Sequence, residues 1–436
     1  MTVALPSPLR RALSPYTGIV RSLEECLPST SEPALFRFSG VVGRGRGLLG
    51  SPLDHLDGIG GSGQSRAEAS AAAVGEALER YSATYVPHER IVVGSAVELG
   101  GEAVDPGRFA LFSDRQYESD GFPFERFTPA LHIPWVQGWS VQNRRPAWLP
   151  AELVFLGDVV PDGSHRIGYA TSSGAACGSS TNEALARGLC EVLERDAFMI
   201  VWANRLSLPL VDLDGNERLI ELEREFFVAA GLRYSVVDLS RFHQLPSVLA
   251  VVRAPTGFPG ALGVGAGTAS TLERAWWKAL AEAFASRSAG AKLELIDSQP
   301  LDSPETVVSF EAHIRYYADH AHAATTSFLD GSGERTVAGA IPALEGSSIE
   351  ERVAQLSARI DAAGSAAYAV DVTSPDVREL GLFVVKVVAP ELCSLDVAHG
   401  ARFLGGRRLY DAPVELGLRP EPLCEDDVNP EPHPFP

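Results

Sequence analysis

The chain has 436 residues, 45% of them apolar and 21% charged, with a formal net charge of −19. That length suits one large domain or two to three ordinary ones, and the acidic balance disfavours nucleic acid as a partner. No apolar run approaches the roughly 18 residues that span a bilayer. Prolines and arginines break up the opening MTVALPSPLRRALSPYTG, where a signal peptide needs an unbroken apolar stretch, so no membrane association and a cytoplasmic location are expected.

In chain order, a strand-like run, ALFRFSGVV (34–42), leads into a glycine-rich loop through Gly63, and an alanine-rich helix follows at 66–85. Residues 100–165 read as irregular, with short strand-like pieces such as IPWVQGW. A second glycine- and serine-rich loop, TSSGAACGSSTN, precedes a long helix at 181–203. LRYSVVDL and SVLAVVRA read as buried or half-buried strands, ALGVGAG follows, and a helix runs over 271–290. Helices are expected near 305–322 and 349–363, then the strands AAYAVDV and LFVVKVV, and last an acidic, proline-rich end. Interspersed helices and strands place the chain in the α/β or mixed α+β class.

The five cysteines, Cys26, Cys177, Cys190, Cys393 and Cys424, are odd in number and widely spaced. Buried reduced thiols are expected rather than disulfides or a zinc site. Cys177, just before a helix, sits where a thiol pKa can fall. His313, His320 and His322 read as surface residues of a mixed helix. Gly45, Gly47 and Gly50 match G-x-G-x-x-G, but Pro52 and the glycines beyond it do not read as a dinucleotide-binding helix.

Glu-x-Leu-Glu-Arg occurs twice, at 76–80 and 191–195, each time on a helix that follows a glycine-rich segment. Residues three and four apart share a helical face, which groups Glu76, Glu79 and Arg80. Glu191 and Glu194 lie eight and eleven residues beyond Glu183, offsets of about 80° and 20° around the helix. Glu183, Glu191 and Glu194 can therefore form a carboxylate stripe. Two facing stripes would suit Mg²⁺, which takes a few carboxylates and completes its shell with water and phosphate oxygens. Arginines there could meet phosphate, and glycine-rich loops at helix starts could admit an anion. A solvated face with i,i+4 ion pairs explains the same spacing, and Ser180 with Glu183 also fits a capping box.

SRAEASAAAVGEALERYSA and TSSGAACGSSTNEALARGLCEVLERDA resemble the two N-terminal motifs of the YcaO superfamily. ASTLERAWWKALAEAFASR resembles its third conserved helix, VDVTSPDVRELGLFVVKVVAPEL with GARFLGGRRLYDAP its C-terminal segment, and LSPYTGIVRSL its start. The closing PHPFP resembles the Pro-x-Pro-x-Pro ending of azoline-forming members. The resemblance covers nearly the whole chain. It implies a single YcaO-type domain over 1–436 with a Pro-rich tail at 420–436, and mixed sheets flanked by long helices.

The resemblance also implies an ATP site unlike a P-loop. By position it would use Glu76, Glu79, Arg80, Glu183, Glu191, Glu194, Arg195, Glu282 and Arg287, with Mg²⁺ on Glu76, Glu79, Glu191 and Glu194. Four positions depart from the usual pattern: Ser62 for lysine, Ala72 for serine, Ser179 for asparagine and Ala285 for glutamine. They imply rearranged nucleotide contacts. The tail alternates proline over its last eight residues, which reach roughly 25 Å in a polyproline conformation. By resemblance it enters the active site, where the Pro436 carboxylate assists proton transfer.

The implied activity is ATP-dependent cyclodehydration of Cys, Ser or Thr in a ribosomally made precursor peptide to thiazoline or oxazoline. A separate E1-like or ThiF-like leader-binding partner is expected, oxidation to azole would need a separate FMN-dependent dehydrogenase, and a homodimer is compatible. Two alternatives stand beside it: a thioamide- or amidine-forming enzyme, against which the proline tail argues, and a catalytically silent scaffold that binds partner or precursor.

Overall fold

The computed structural model describes residues 5–29, 32–43, 59–161, 163–228, 232–297, 299 and 301–436. Gly45, Gly47 and Gly50 lie outside the described residues. The chain divides into two compact units: Met1–Leu27, Phe36–Val192 and Gly346–Leu392 form the first, and Pro28–Leu35, Leu193–Glu345 and Cys393–Pro436 the second. The helix Thr181–Asn204 gives its first half to one and its second half to the other.

In the first unit, Val20–Glu25, Phe36–Val42 and Ile59–Gly63 form an antiparallel three-stranded sheet. A larger antiparallel sheet runs in the order Ile91–Gly94, Ile133–Ser140, Tyr368–Asp371, Phe383–Val388, Ala175–Gly178, with Pro146–Pro150 also pairing Ile133–Ser140. The helix Arg66–Thr84 starts where the Ser65 hydroxyl accepts the Glu68 N–H. It lies directly on Ile59–Gly63. A Cβ at Gly61 would stand 2.2 Å from the Ala73 backbone nitrogen, so only glycine permits this approach. The segment expected as a loop through Gly63 therefore ends as a strand, its glycines spent on helix packing. The TSSGAACG segment likewise ends in the strand Ala175–Gly178.

In the second unit, Leu262–Thr268, Ser247–Arg253, Arg233–Asp238, Leu210–Asp212 and Arg335–Val337 form one sheet in that order, and its last pairing is parallel. The helix Leu272–Ile296 covers Leu262–Thr268. Its Ala275, Ala279 and Ala283 meet Gly267, Gly265 and Gly263, and a Cβ at Gly265 would lie 2.5 Å from the Ala279 carbonyl oxygen. Trp276, Phe284 and Phe227 fill one face of the core, at about 1.5–3 kcal/mol for each large apolar side chain buried.

The helix expected near 305–322 is two short ones, Phe310–Tyr316 and His320–Ala324. Asp319 interrupts it by accepting the Ala321 and His322 N–H groups as a new cap. His313, expected at the surface, is fully buried because its ring stacks on His433, centroids 4.0 Å apart. The whole is the mixed α/β arrangement expected, sheets flanked by long helices. Among the described residues, no helix is long and apolar enough to cross a membrane.

Candidate active site

The first unit gathers Glu76, Glu79, Arg80, Glu183 and Glu191. Glu76 is already engaged: Oε2 accepts the Gly60 N–H at 2.9 Å and Oε1 meets Arg80 Nη2 at 2.6 Å. Glu79, one turn on, has its carboxyl pushed well above the usual range, first by desolvation and then by the charges of Glu191 and Glu76. Arg80 and the Cys177 N–H oppose that rise. A carboxyl crowded by two others is where a divalent cation restores the ionised form, so Glu79 and Glu191 fit a magnesium ion.

Glu183 is used locally. Its N–H donates to Ser180 Oγ at 3.2 Å, while Oε2 accepts the Ser179 N–H at 3.0 Å and the Ser179 hydroxyl at 2.5 Å. Arg187 Nη2 donates to Oε1 at 2.5 Å. Burial works to raise this carboxyl, but Ser179 and Arg187 hold it below its ordinary value. The cap is thus a capping box shifted by one residue, with the glutamate reaching back to Ser179.

Sequence reasoning did not find Lys386. It is buried in Phe383–Val388 and donates to the Thr171 and Ser173 carbonyls, both at 2.6 Å. Burial lowers its ammonium to about 8, against the opposing pull of Glu191 and Glu79. A single lysine inside the apolar run LFVVKVV was the available signal, since a charge there must find buried acceptors. Cys177 is buried, and desolvation first, then Glu79, raises its thiol to about 12 rather than lowering it as its place before a helix would allow. A buried thiol beside a carboxylate resists ionisation, which suits Cys177 to packing.

The second unit gathers Glu194, Arg195 and Glu282. Glu194 is fully buried. Oε2 accepts the Thr268 N–H at 2.5 Å, and Lys278 Nζ lies 3.0 Å from Oε1 and 3.1 Å from Oε2. Arg195 Nη2 stands 3.7 Å from Glu194 Oε1 and 4.0 Å from Glu282 Oε1. Glu282 accepts the Ala266 N–H at 2.9 Å. Desolvation raises its carboxyl to about 7, with Arg195 and Lys278 pulling the other way. Arg287 is not with them: it donates to the Pro259 carbonyl at 2.6 Å and the Gly260 carbonyl at 3.1 Å, and sits 3.7 Å from Glu32. It clamps a turn.

The tail is built into the same unit. Asn429 N–H donates to the Ala203 carbonyl at 2.9 Å, Trp202 Nε1 to the Glu431 carbonyl at 3.2 Å, and Tyr317 Oη to the Pro432 carbonyl at 2.5 Å. His313 Nδ1 lies 2.6 Å from the His433 carbonyl. Phe435 is fully buried, with the Arg195 guanidinium 3.9 Å over its ring. Pro436 follows Phe435 directly. Asp196, adjacent to Arg195, takes two bonds from Arg408 Nε at 2.9 Å and the Cys393 N–H at 2.9 Å. These fix the helix under the arginine.

A family model described as YcaO cyclodehydratase, ATP- and Mg²⁺-binding, matches residues 60–393. The chain belongs to the YcaO family. It is an ATP- and Mg²⁺-binding enzyme of that family. An uncharacterized protein of Methanothermobacter thermautotrophicus is 30% identical over 230 residues, covering 52% of this chain and 56% of that one. Two solved structures share the YcaO-like fold. A heterocyclase in complex with substrate and cofactor superposes with a TM-score of 0.79 at 27% identity, over 99% of this chain and 57% of its own. The heterocyclase TruD does so at 0.67 and 28%, over 84% and 50%. The chain spans 50 to 57% of the length of these relatives.

Proposed function

We propose that the protein is an ATP-dependent cyclodehydratase that converts Cys, Ser or Thr of a ribosomally made precursor peptide to thiazoline or oxazoline. The observation that carries this reading is the Glu79 carboxyl, buried and crowded by Glu191 and Glu76, whose rise Arg80 offsets only in part. The likeness to solved heterocyclases supports the reaction class.

In this reading, a side-chain thiol or hydroxyl of the peptide attacks the preceding backbone carbonyl. Bound ATP with Mg²⁺ supplies the phosphoryl group with which the former amide oxygen leaves as phosphate. The chain's own part is placement and charge. Glu79 and Glu191 hold the metal, with Glu76 and Glu194 as further acidic candidates that are already engaged. Arg80 and Arg195 carry positive charge for the phosphates, and Glu183 and Glu282 complete the acidic set. Arg287 is left out of the nucleotide contacts because backbone carbonyls occupy its guanidinium. A carboxylate at Pro436 would take the proton from the attacking group, or from the backbone N–H as phosphate leaves and the C=N bond forms, with the other proton going to solvent. A separate E1-like or ThiF-like partner presents the leader peptide.

A second reading, a silent scaffold, draws on the internal pairing of Glu76, Glu183 and Glu194. Incubation with partner, precursor and Mg-ATP separates the two. Loss of one water mass per modified residue with matching phosphate release is the expected outcome; no nucleotide binding at millimolar ATP would leave the scaffold. Adding two glycines after Pro436 should slow cyclisation about tenfold or more, the scale of losing a general base, while ATP binding persists.

A further inference from the structure

Glu194 and Lys278 form an unequal pair. The carboxylate side chain is 0% exposed, whereas the lysine keeps 45% of its side chain in solvent. Both oxygens of Glu194 face the ammonium, at 3.0 and 3.1 Å, and the Thr268 N–H takes a further position on Oε2. A metal ion arriving at this carboxylate would compete with the ammonium for both of its oxygens. Lys278 lies one helical turn before Glu282 on the helix Leu272–Ile296, so the two side chains share a face. An ammonium on a four-carbon stem is a mobile point charge with three donors, well suited to phosphate oxygens.

We propose that Lys278 is a triphosphate-binding residue that rests on Glu194 while nucleotide is absent and moves to a phosphate oxygen when Mg²⁺ takes the carboxylate. The exchange keeps the local charge balanced: one cation leaves Glu194 as another arrives, and the released ammonium meets the incoming anion. This inference rests on the ATP site of the proposed function and adds a residue to it.

The test is equilibrium titration of wild-type protein, Lys278→Gln and Lys278→Arg with Mn²⁺ alone, and with ATP in the presence of Mn²⁺. Lys278→Gln should bind Mn²⁺ alone about three- to tenfold more tightly, because a competing cation has gone. It should bind ATP about tenfold or more weakly, the scale of one lost charge-assisted bond. Lys278→Arg keeps the charge and should restore most of the ATP affinity; melting curves establish that each variant is folded. A folded Lys278→Gln with wild-type ATP affinity overturns the inference and leaves the ATP site standing. So does one that binds Mn²⁺ more weakly, since Lys278 would then only hold the site together. Wild-type protein that binds no ATP overturns both.

Discussion

The two acidic clusters solve the same electrostatic problem differently. In the first unit, Glu79 is raised first by burial and then by its carboxylate neighbours Glu191 and Glu76, and the buried cation Lys386 is committed to two carbonyl oxygens. In the second, Glu194 carries its counter-ion with it, an ammonium on both oxygens and a backbone N–H besides. Buried like charges persist only where something offsets them. The first cluster has Arg80 on Glu76 and, in the function proposed above, takes a bound cation for Glu79, whereas the second supplies its counter-ion from the chain.

The sharpest way to break this contrast is Glu191→Gln. It should reduce turnover by more than the roughly hundredfold that changing an outer neighbour of a metal ligand costs, with the melting temperature almost unmoved; phosphate release and thermal unfolding read the two effects. Glu194→Gln should differ in kind. It strips Lys278 of its partner inside the protein and should cost about 1–3 kcal/mol of stability, the lower part of that range if exposure of Lys278 screens the pair. Equal stability of the two variants would erase the distinction.

A smaller effect concerns pH. The Glu282 carboxyl stands at about 7 against an ordinary 4.5. Between those values the folded chain holds a proton that the unfolded chain has lost. Stability without Mg²⁺ should therefore fall as pH rises through that window and level off above it. Glu282→Gln should flatten this slope in unfolding curves taken across it.

Part of this arrangement is legible in the amino-acid sequence. Helical spacing groups Glu76 with Glu79, and the capping box marks Ser180 and Glu183, because both depend on neighbours within four residues. The glycines of Ile59–Gly63 read as a loop, because a glycine shows no alternation of side chains and the alanines that require it belong to the next element. His313 reads as a surface residue because its partner, His433, comes 120 residues later. For Lys278 the turn shared with Glu282 is visible, but Glu194 lies 84 residues away in sequence. Lys386 announces itself as a charge among valines, yet its acceptors are carbonyls of Thr171 and Ser173, which no residue type betrays.

The stretch from Asn429 to Phe435 is pinned at both ends and at three carbonyls between, by Ala203, Trp202, Tyr317, His313 and the Arg195 guanidinium. It acts as a ruler. A substitution changes one mark, but a one-residue insertion or deletion shifts every mark beyond it and draws Phe435 away from its arginine. Side chains at Glu431 and His433 are held as well, by Tyr316 and by the His313 ring, but the length of the segment is the stricter constraint.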